Sequence, residues 1–496
     1  MKRITSHIVL FVAFMVVSSS CVIQQNPVSG QKRAFAYSWQ QEIQIGEDVD
    51  REIVSQFGIY DHSEIEKYVI DVSEKVLAVS HMRREDTAKQ FREAEFTFRV
   101  LDSPVVNAFA LPGGYIYVTR GLLAHLNNEA QLAVVQGHEI GHVAARHASQ
   151  RGLQQTIGQV AIIGGAILGQ ELLGLPGEAI LNLSSQAAQF LFLSYSRDAE
   201  RESDRLGVEY AAMNGYVAAE GAAFFTSLKR ISEKAGQSIP NMLSSHPNPG
   251  ERETTIPKLA DEWKERGYEQ TIRNTEAYMQ MLDGIVYGEN PRNGFVDENR
   301  FVHPELKFQF PVPQGWRVIN QPSQVVYVNP DGDAVMILRI DSESTTARQS
   351  VEQLIAEEGF VLQRQAETQS SGQWPAYEAD FTVQQEGGTL GVNVYAVEYD
   401  NNVYRFINYT EQSKFERYSS TFSSVTNAFD RLTDQRILDI EPVRLRVTQV
   451  ETDTRFSNLL PSQLPMAIEA EDVSIMNQVL MDDLIRAGTY IKIPVQ

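Results

Sequence analysis

Cysteine is nearly absent from this 496-residue chain. Cys21 stands alone, so no intrachain disulfide can form and no thiolate-built metal site is available. Basic residues are in deficit as well: 43 Lys and Arg face 64 Asp and Glu, for a formal net charge of −21. A nucleic-acid partner needs a basic face, so that class is set aside. Long apolar runs are scarce. The apolar run Ile8 to Val17 is too short for a standard membrane span. No helical repeat of the tetratricopeptide period is found. What remains is a globular composition, 43% hydrophobic and 22% charged, on a chain long enough for about three domains.

The N-terminus has the order of an export signal: Lys2 and Arg3, then Ile8 to Val17, then Ser18-Ser19-Ser20 before Cys21. Two processing routes fit. One is cleavage after Ser20 by a small-x-small rule. The other is lipid attachment at Cys21, as in bacterial lipoproteins, although Ser18 stands where such signals usually carry Leu. The position of the sole cysteine favours lipidation. The expectation is a signal peptide over 1–20 and a polar tether over 21–38, with a turn-rich Asn26-Pro27-Val28-Ser29-Gly30.

Helical spacing of apolar residues follows over about Trp39 to Gln56 and Ser63 to Val79. Phe96 to Val100 alternates like a strand, and Asn107 to Ala110 and Tyr115 to Val118 flank a hairpin turn at Pro112-Gly113-Gly114. From Gly152 to Gln170 no charge occurs; a membrane span is one reading, and a buried hairpin or a lid is favoured. Leu181 to Tyr195 is a further apolar helical stretch. A Gly/Asn/Pro/Asp-rich boundary spans Gly288 to Asn299. Strands then dominate, with a hairpin turn at Asn329-Pro330-Asp331-Gly332 and a helix marked by Phe415, Tyr418, Phe422, Val425 and Phe429. With no acid pair, nucleophile or ligand cluster, residues 301–433 are predicted to form a structural or recognition α+β domain. Residues 443–496 are predicted to form a small βααβ module.

The chemistry lies in Gly137-His138-Glu139-Ile140-Gly141-His142. On a helix, His138 and His142 share a face and can take one metal ion, with Glu139 beside them as a carboxylate base. This is the pattern of metal-assisted peptide hydrolysis. Asn128, three residues before Gln131, starts the helix as a capping box. Gly137 and Gly141 should each cost about 1 kcal/mol against Ala, which predicts a close backbone neighbour at this site. His147 lies five residues past His142, about 140° around a helix, and is placed outside the ligand set as a solvated or second-sphere residue. Ala145 and Ala148 stand where the metzincin pattern needs Gly and His, so that class is excluded. The third ligand is therefore sought among carboxylates. Glu200 and Glu202 compete, and Asp204, four residues after Glu200, decides for Glu200. Asp204 can then accept a hydrogen bond from a ligand histidine. Glu202 is expected to pair with Arg201 and Arg205. His246, in Ser244-Ser245-His246-Pro247, reads as structural on spacing alone.

Five segments in order resemble the M48 peptidases: Asn107-Ala108-Phe109-Ala110-x-Pro112-Gly113-Gly114, Thr119-x-Gly121-Leu122-Leu123, His138-Glu139-x-x-His142, Ser196-Arg197-x-x-Glu200-x-Glu202-x-Asp204, and Ser245-His246-Pro247. The resemblance covers roughly Gln40 to Leu282 and is nearest to the soluble periplasmic branch with BepA-like and LoiP-like members. It implies a gluzincin: a mainly helical zincin-type domain with a small sheet over 39–290, one zinc ion on His138, His142 and Glu200, and Glu139 as general base. His246 is implied as a fourth ligand or transition-state contact, with Arg252 nearby. The strand at Asn107 to Ala110 is implied to offer an edge to an extended substrate. The last segment resembles a degenerate LysM module through Asp453-Thr454, Asn477 and Gly488-x-x-Ile491-x-Ile493-Pro494, with Thr452 where Gly is usual. The middle domain is faintly similar to PsbP-like folds. The expectation is a multidomain α+β protein acting as an exported zinc endopeptidase of the bacterial envelope. It would reside in the periplasm, anchored to the outer membrane through Cys21. Its substrates would be unfolded or misassembled envelope proteins, with peptidoglycan contact through the LysM-like module. The alternative is a latent peptidase serving mainly as an envelope-binding or chaperone protein.

Overall fold

A computed structural model describes residues 21–153, 194–235, 246, 249–356, 360–385, 388–465 and 467–496. The expected signal peptide, most of the uncharged stretch after Gly152, the helix over 181–193, and Ser244, Ser245 and Pro247 lie outside the described residues. The described residues divide into two compact units, one holding those of 21–153, 194–289 and 443–496 and the other those of 290–442. No helix among the described residues is long and apolar enough to cross a membrane.

The first unit begins with a correction. Residues 21–38, expected as a tether, fold as a docked hairpin of β1 (Val22–Gln25) and β2 (Lys32–Phe35). Asn26 makes the turn, its Oδ1 accepting from Val28 N at 3.0 Å and Ser29 N at 2.9 Å. Its Nδ2 donates 2.8 Å to Ala145 O. A polar composition therefore concealed a segment held by side-chain hydrogen bonds together with the buried Phe35 and the packed Val28.

Helices α1 (Trp39–Phe57) and α2 (Ser63–Ala78) follow, α1 opened by a Ser38/Gln41 capping box. In the three-stranded sheet, β5 (Tyr115–Thr119) lies between β3 (Thr97–Leu101), parallel to it, and β4 (Ala108–Leu111), antiparallel. The β4–β5 turn has φ of 83° at Gly113 and 105° at Gly114. A Cβ on Gly113 would stand 2.6 Å from Ile43 Cα, so the turn needs glycine both for its conformation and for its contact with α1.

After the short helix α3 (Arg120–His125), helix α4 (Glu129–Ala145) carries the His138/His142 pair and is buried along its whole length. Asn128 caps it, Oδ1 accepting from Gln131 N at 3.0 Å. The reciprocal arm of the expected capping box shifts by one residue, with Gln131 Oε1 accepting from Asn127 N at 2.8 Å. Helix α5 (Arg197–Met213) packs against α4 through glycines. A Cβ on Gly137 would lie 2.9 Å from Gly207 Cα, and one on Gly207 would lie 2.8 Å from Val134 O. The helical glycines thus let two backbones touch, which offsets their propensity cost. Helices α6 (Gly221–Ala235), α7 (Pro249–Glu265) and α8 (Thr275–Leu282) complete this layer.

Residues 443–496 belong to the same unit rather than standing apart. Strands β17 (Arg444–Gln449) and β18 (Tyr490–Val495) pair antiparallel around helix α11 (Ala470–Met476). Leu445, Phe456, Val473, Met476, Ile491 and Ile493 join the core that contains α4. Lys492 is fully buried, its Nζ donating to Ala124 O at 2.6 Å and Leu126 O at 2.8 Å. Burial holds its pKa well below the usual lysine value. Gln478 Nε2 donates 2.8 Å to His125 O.

The second unit is built on a seven-stranded antiparallel sheet. Its order is β12 (Phe360–Gln369), β13 (Pro375–Gln385), β14 (Gly388–Tyr399), β15 (Asn402–Glu411), β11 (Ala334–Ile340), β10 (Gln324–Val328) and β9 (Arg317–Gln321). Helices α9 (Ala347–Ile355) and α10 (Phe415–Thr426) accompany it. A second sheet orders β16 (Asp430–Arg431), β8 (Phe308–Pro311), β7 (Arg300–His303) and β6 (Phe295–Asp297). Phe301, Phe308, Phe310, Tyr404, Phe406, Phe422 and Phe429 form its aromatic core.

Candidate metal centre

Helical periodicity on α4 brings His138 Nε2 and His142 Nε2 to 3.0 Å of each other. The first turn of α5 adds Glu200, whose Oε1 is 3.4 Å from His142 Nε2 and whose Oε2 is 3.5 Å from His138 Nε2. From ahead of α7, His246 presents Nδ1 3.2 Å from His138 Nε2 and 3.1 Å from Glu200 Oε2. These four are the only group of His, Cys, Asp and Glu able to hold a metal ion among the described residues. Each is 3% exposed or less. Donors about 2.0–2.1 Å from a tetrahedral ion stand about 3.3 Å apart, so these separations fit one ion.

Glu139 is fully buried, and neither carboxylate oxygen has a hydrogen-bond partner among the described residues. A buried carboxylate so placed is costly unless it serves a reacting group. Burial raises its pKa, with His246 and His138 opposing. Burial also holds His142 well below the ordinary histidine value despite Glu200, leaving the neutral imidazole a metal needs. Burial would raise Glu200 too, but His246 and hydrogen bonds from His138 and His246 outweigh it and keep Glu200 well below the carboxylate range.

The outer contacts hold these ligands. Asp204 Oδ1 lies 2.9 Å from His138 Nδ1, the place expected for it. Arg252, buried over the Phe225 ring, donates from Nε to Asp204 Oδ2 at 2.7 Å and also pairs with Glu200 Oε2. Tyr195 stacks on His142 with ring centroids 4.1 Å apart. Glu202 departs from expectation. Arg201 pairs with Asp198 at 2.6 Å and Arg205 with Glu209 at 3.1 Å, while Glu202 Oε2 sits 3.2 Å from His147 Nε2.

Of the two readings for His147, solvated or second-sphere, the structure bears out the second: it lies outside the donor cluster, buried against His142. The 140° rotation assumes a continuing helix, but α4 stops at Ala145 and Arg146 turns left-handed, with φ of 59°. That turn brings His147 Nδ1 back to 3.0 Å from His142 Nδ1. No glycine announces the break; Arg146 is held there by Glu42 Oε1, at 2.6 Å and 2.9 Å, and by Tyr37 O at 2.8 Å. Tyr195 gave no signal beyond its place beside α5. Cys21 is exposed.

A buried H-E-x-x-H helix completed by a glutamate from a second helix defines a gluzincin-type metal centre. Residues 71–260 match the model of Peptidase family M48, so the chain carries an M48 peptidase domain, and zinc, the metal of that family, suits its donors. A Vibrio cholerae protein described as a beta-barrel assembly-enhancing protease is 35% identical over 163 residues, covering 32% of this chain and 33% of that protein. The mitochondrial metalloendopeptidase OMA1 of Bos taurus is 32% identical over 174 residues, covering 34% of this chain and 33% of that protein. The chain thus spans about a third of the length of these curated relatives. The solution structure of cyanobacterial PsbP from Synechocystis sp. PCC 6803 aligns with 16% identity over 27% of this chain and 91% of that one, at a TM-score of 0.22, too low to support a conclusion.

Proposed function

We propose that this protein is a zinc-dependent endopeptidase of the bacterial cell envelope. The observation that carries the reading is the convergence of four buried donor atoms beside a carboxylate whose two oxygens have no hydrogen-bond partner among the described residues. His138, His142 and Glu200 hold the zinc, with His246 as a fourth ligand. A bound zinc ion supplies Lewis acidity toward the scissile carbonyl and toward water. Glu139, its pKa raised by burial, takes the proton of the attacking water and later delivers it to the leaving amine. Asp204 fixes the ring of His138, and Arg252 ties Asp204 to Glu200. β4 is the edge strand of the three-stranded sheet among the described residues, and such an edge suits an extended peptide, since strand addition reads backbone rather than sequence.

The export signal in the sequence and the name of the Vibrio relative support quality control of misassembled envelope proteins, with Cys21 as the lipid anchor. Peptidoglycan contact through the LysM-like segment 443–496 is the finer part of this reading. One observation favours a second reading, a latent peptidase that mainly binds: a catalytic zinc keeps an open position, and His246 fills the fourth. On either reading substrate access requires His246 to give way. The test is Glu139→Gln in the whole chain. Zinc content stays at wild type while cleavage of unfolded casein falls by about 10²–10⁴-fold. Retained cleavage contradicts the mechanism, and a wild type inert toward unfolded proteins but captured on purified peptidoglycan supports the latent reading.

A further inference from the structure

The two ligand histidines are held from behind in different ways. His138 Nδ1 meets a carboxylate, Asp204, at 2.9 Å. His142 Nδ1 meets a second imidazole, His147, at 3.0 Å, and His147 Nε2 meets Glu202 Oε2 at 3.2 Å. Ser203 Oγ lies 3.3 Å from the same His147 Nδ1. His147 is 4% exposed, whereas the Glu202 side chain is 33% exposed.

The hydrogen bonds can run in only one consistent direction. With Nε2 of His142 turned toward the other ligands, its proton sits on Nδ1 and donates to His147 Nδ1. That nitrogen must then be an acceptor, and its single lone pair goes to the closer His142 N–H rather than to the Ser203 hydroxyl at 3.3 Å. The His147 proton is left on Nε2 and donates to the Glu202 carboxylate. Each imidazole N–H has an acceptor, and the chain ends on an ionised group that reaches solvent.

We propose that His147 and Glu202 are positioning residues for the metal ligand His142, forming a Glu202–His147–His142 relay that fixes the tautomer and ring angle with which His142 meets zinc. Partners of this kind tune metal affinity. The inference rests on the zinc-peptidase reading and adds to it residues that act without touching metal or substrate. His147 is available for this because α4 ends at Ala145 and Arg146 turns left-handed.

The experiment measures zinc affinity of the whole chain by chelator competition, the visible spectrum of the Co²⁺-substituted protein, and thermal unfolding of the metal-free form. His147→Ala weakens zinc by about 10–100-fold and shifts the Co²⁺ bands, and His147→Gln, which returns a carbonyl acceptor, recovers part of the loss. Glu202→Ala weakens zinc less, and Glu202→Gln least. Should His147→Ala fail to fold, Glu202→Ala decides, because that side chain lies at the surface. Zinc affinity in both alanine variants within about twofold of wild type, with unshifted Co²⁺ bands, overturns the relay. A wild type that binds no zinc overturns the relay together with the proposed function. A wild type that binds zinc and cleaves while the variants do not differ overturns the relay alone.

Discussion

Helix α4 and the β10–β11–β15–β14 sheet are both interior, yet they bury opposite kinds of group. Along α4 the buried residues include Glu129, Gln136, His138, Glu139 and His142. In the sheet and its cover they are Tyr327, Met336, Leu338, Phe406, Phe422 and Phe429. Aromatic burial stabilises on its own account, whereas each ionisable group on α4 costs free energy unless something answers it. Glu129 is answered by the hydroxyls of Tyr68 and Tyr216, and His138 by Asp204. Glu139 is not answered by any hydrogen bond among the described residues. The difference teaches where to look for chemistry: in the buried charge that the fold leaves exposed to a reactant, not in the larger core.

Substitutions in the two regions should therefore fail in different measurements. The largest effect expected is on stability, from Phe406→Ala in the sheet. It should cost about 3–5 kcal/mol in denaturant unfolding while zinc affinity stays unchanged. A parallel loss of zinc would break the comparison. Gly137→Ala should do the reverse in kind. Its Cβ would stand 2.9 Å from Gly207 Cα, prying α5 and Glu200 away from the histidines. The expected cost is about 1–3 kcal/mol of stability, accompanied by weakened zinc binding. The smallest effect concerns the tail. Lys492 has a depressed pKa when folded, so the unfolded chain binds more protons from that depressed value up to about 10.5. Stability should then rise with pH across this window, by up to about 1.4 kcal/mol per unit, and Lys492→Met should flatten that slope. An unchanged slope would mean that the ammonium is accommodated as a charge by Ala124 O and Leu126 O.

Much of α4 was legible because its information is local. The His138/His142 spacing, the Asn128 cap and the costly Gly137 each follow from helix geometry, and Glu200 with Asp204 follows from the same rule applied to a second helix. What was not legible depended on partners distant in the chain. Arg146 leaves the helix because Glu42 and Tyr37 hold it, and only then does His147 face His142. The hairpin at 22–35 docks because Asn26 finds Ala145. The tail joins the main core through Leu445, Phe456, Val473 and Met476, with Lys492 reaching the carbonyls of Ala124 and Leu126 before α4. None of these contacts leaves a periodic trace. His246 lay between: spacing alone left it structural, the family pattern placed it near the metal, and its Nδ1 is found among the donors.

In the proposed centre, α5 delivers Glu200 as the ligand that joins the histidines of α4. The most direct test is the zinc content of purified Glu200→Ala beside wild type and Glu139→Gln, after dialysis against a weak chelator. One zinc per chain is expected in wild type and in Glu139→Gln, as expected for a single four-donor centre, and little or none in Glu200→Ala. A full complement of zinc in Glu200→Ala would contradict it.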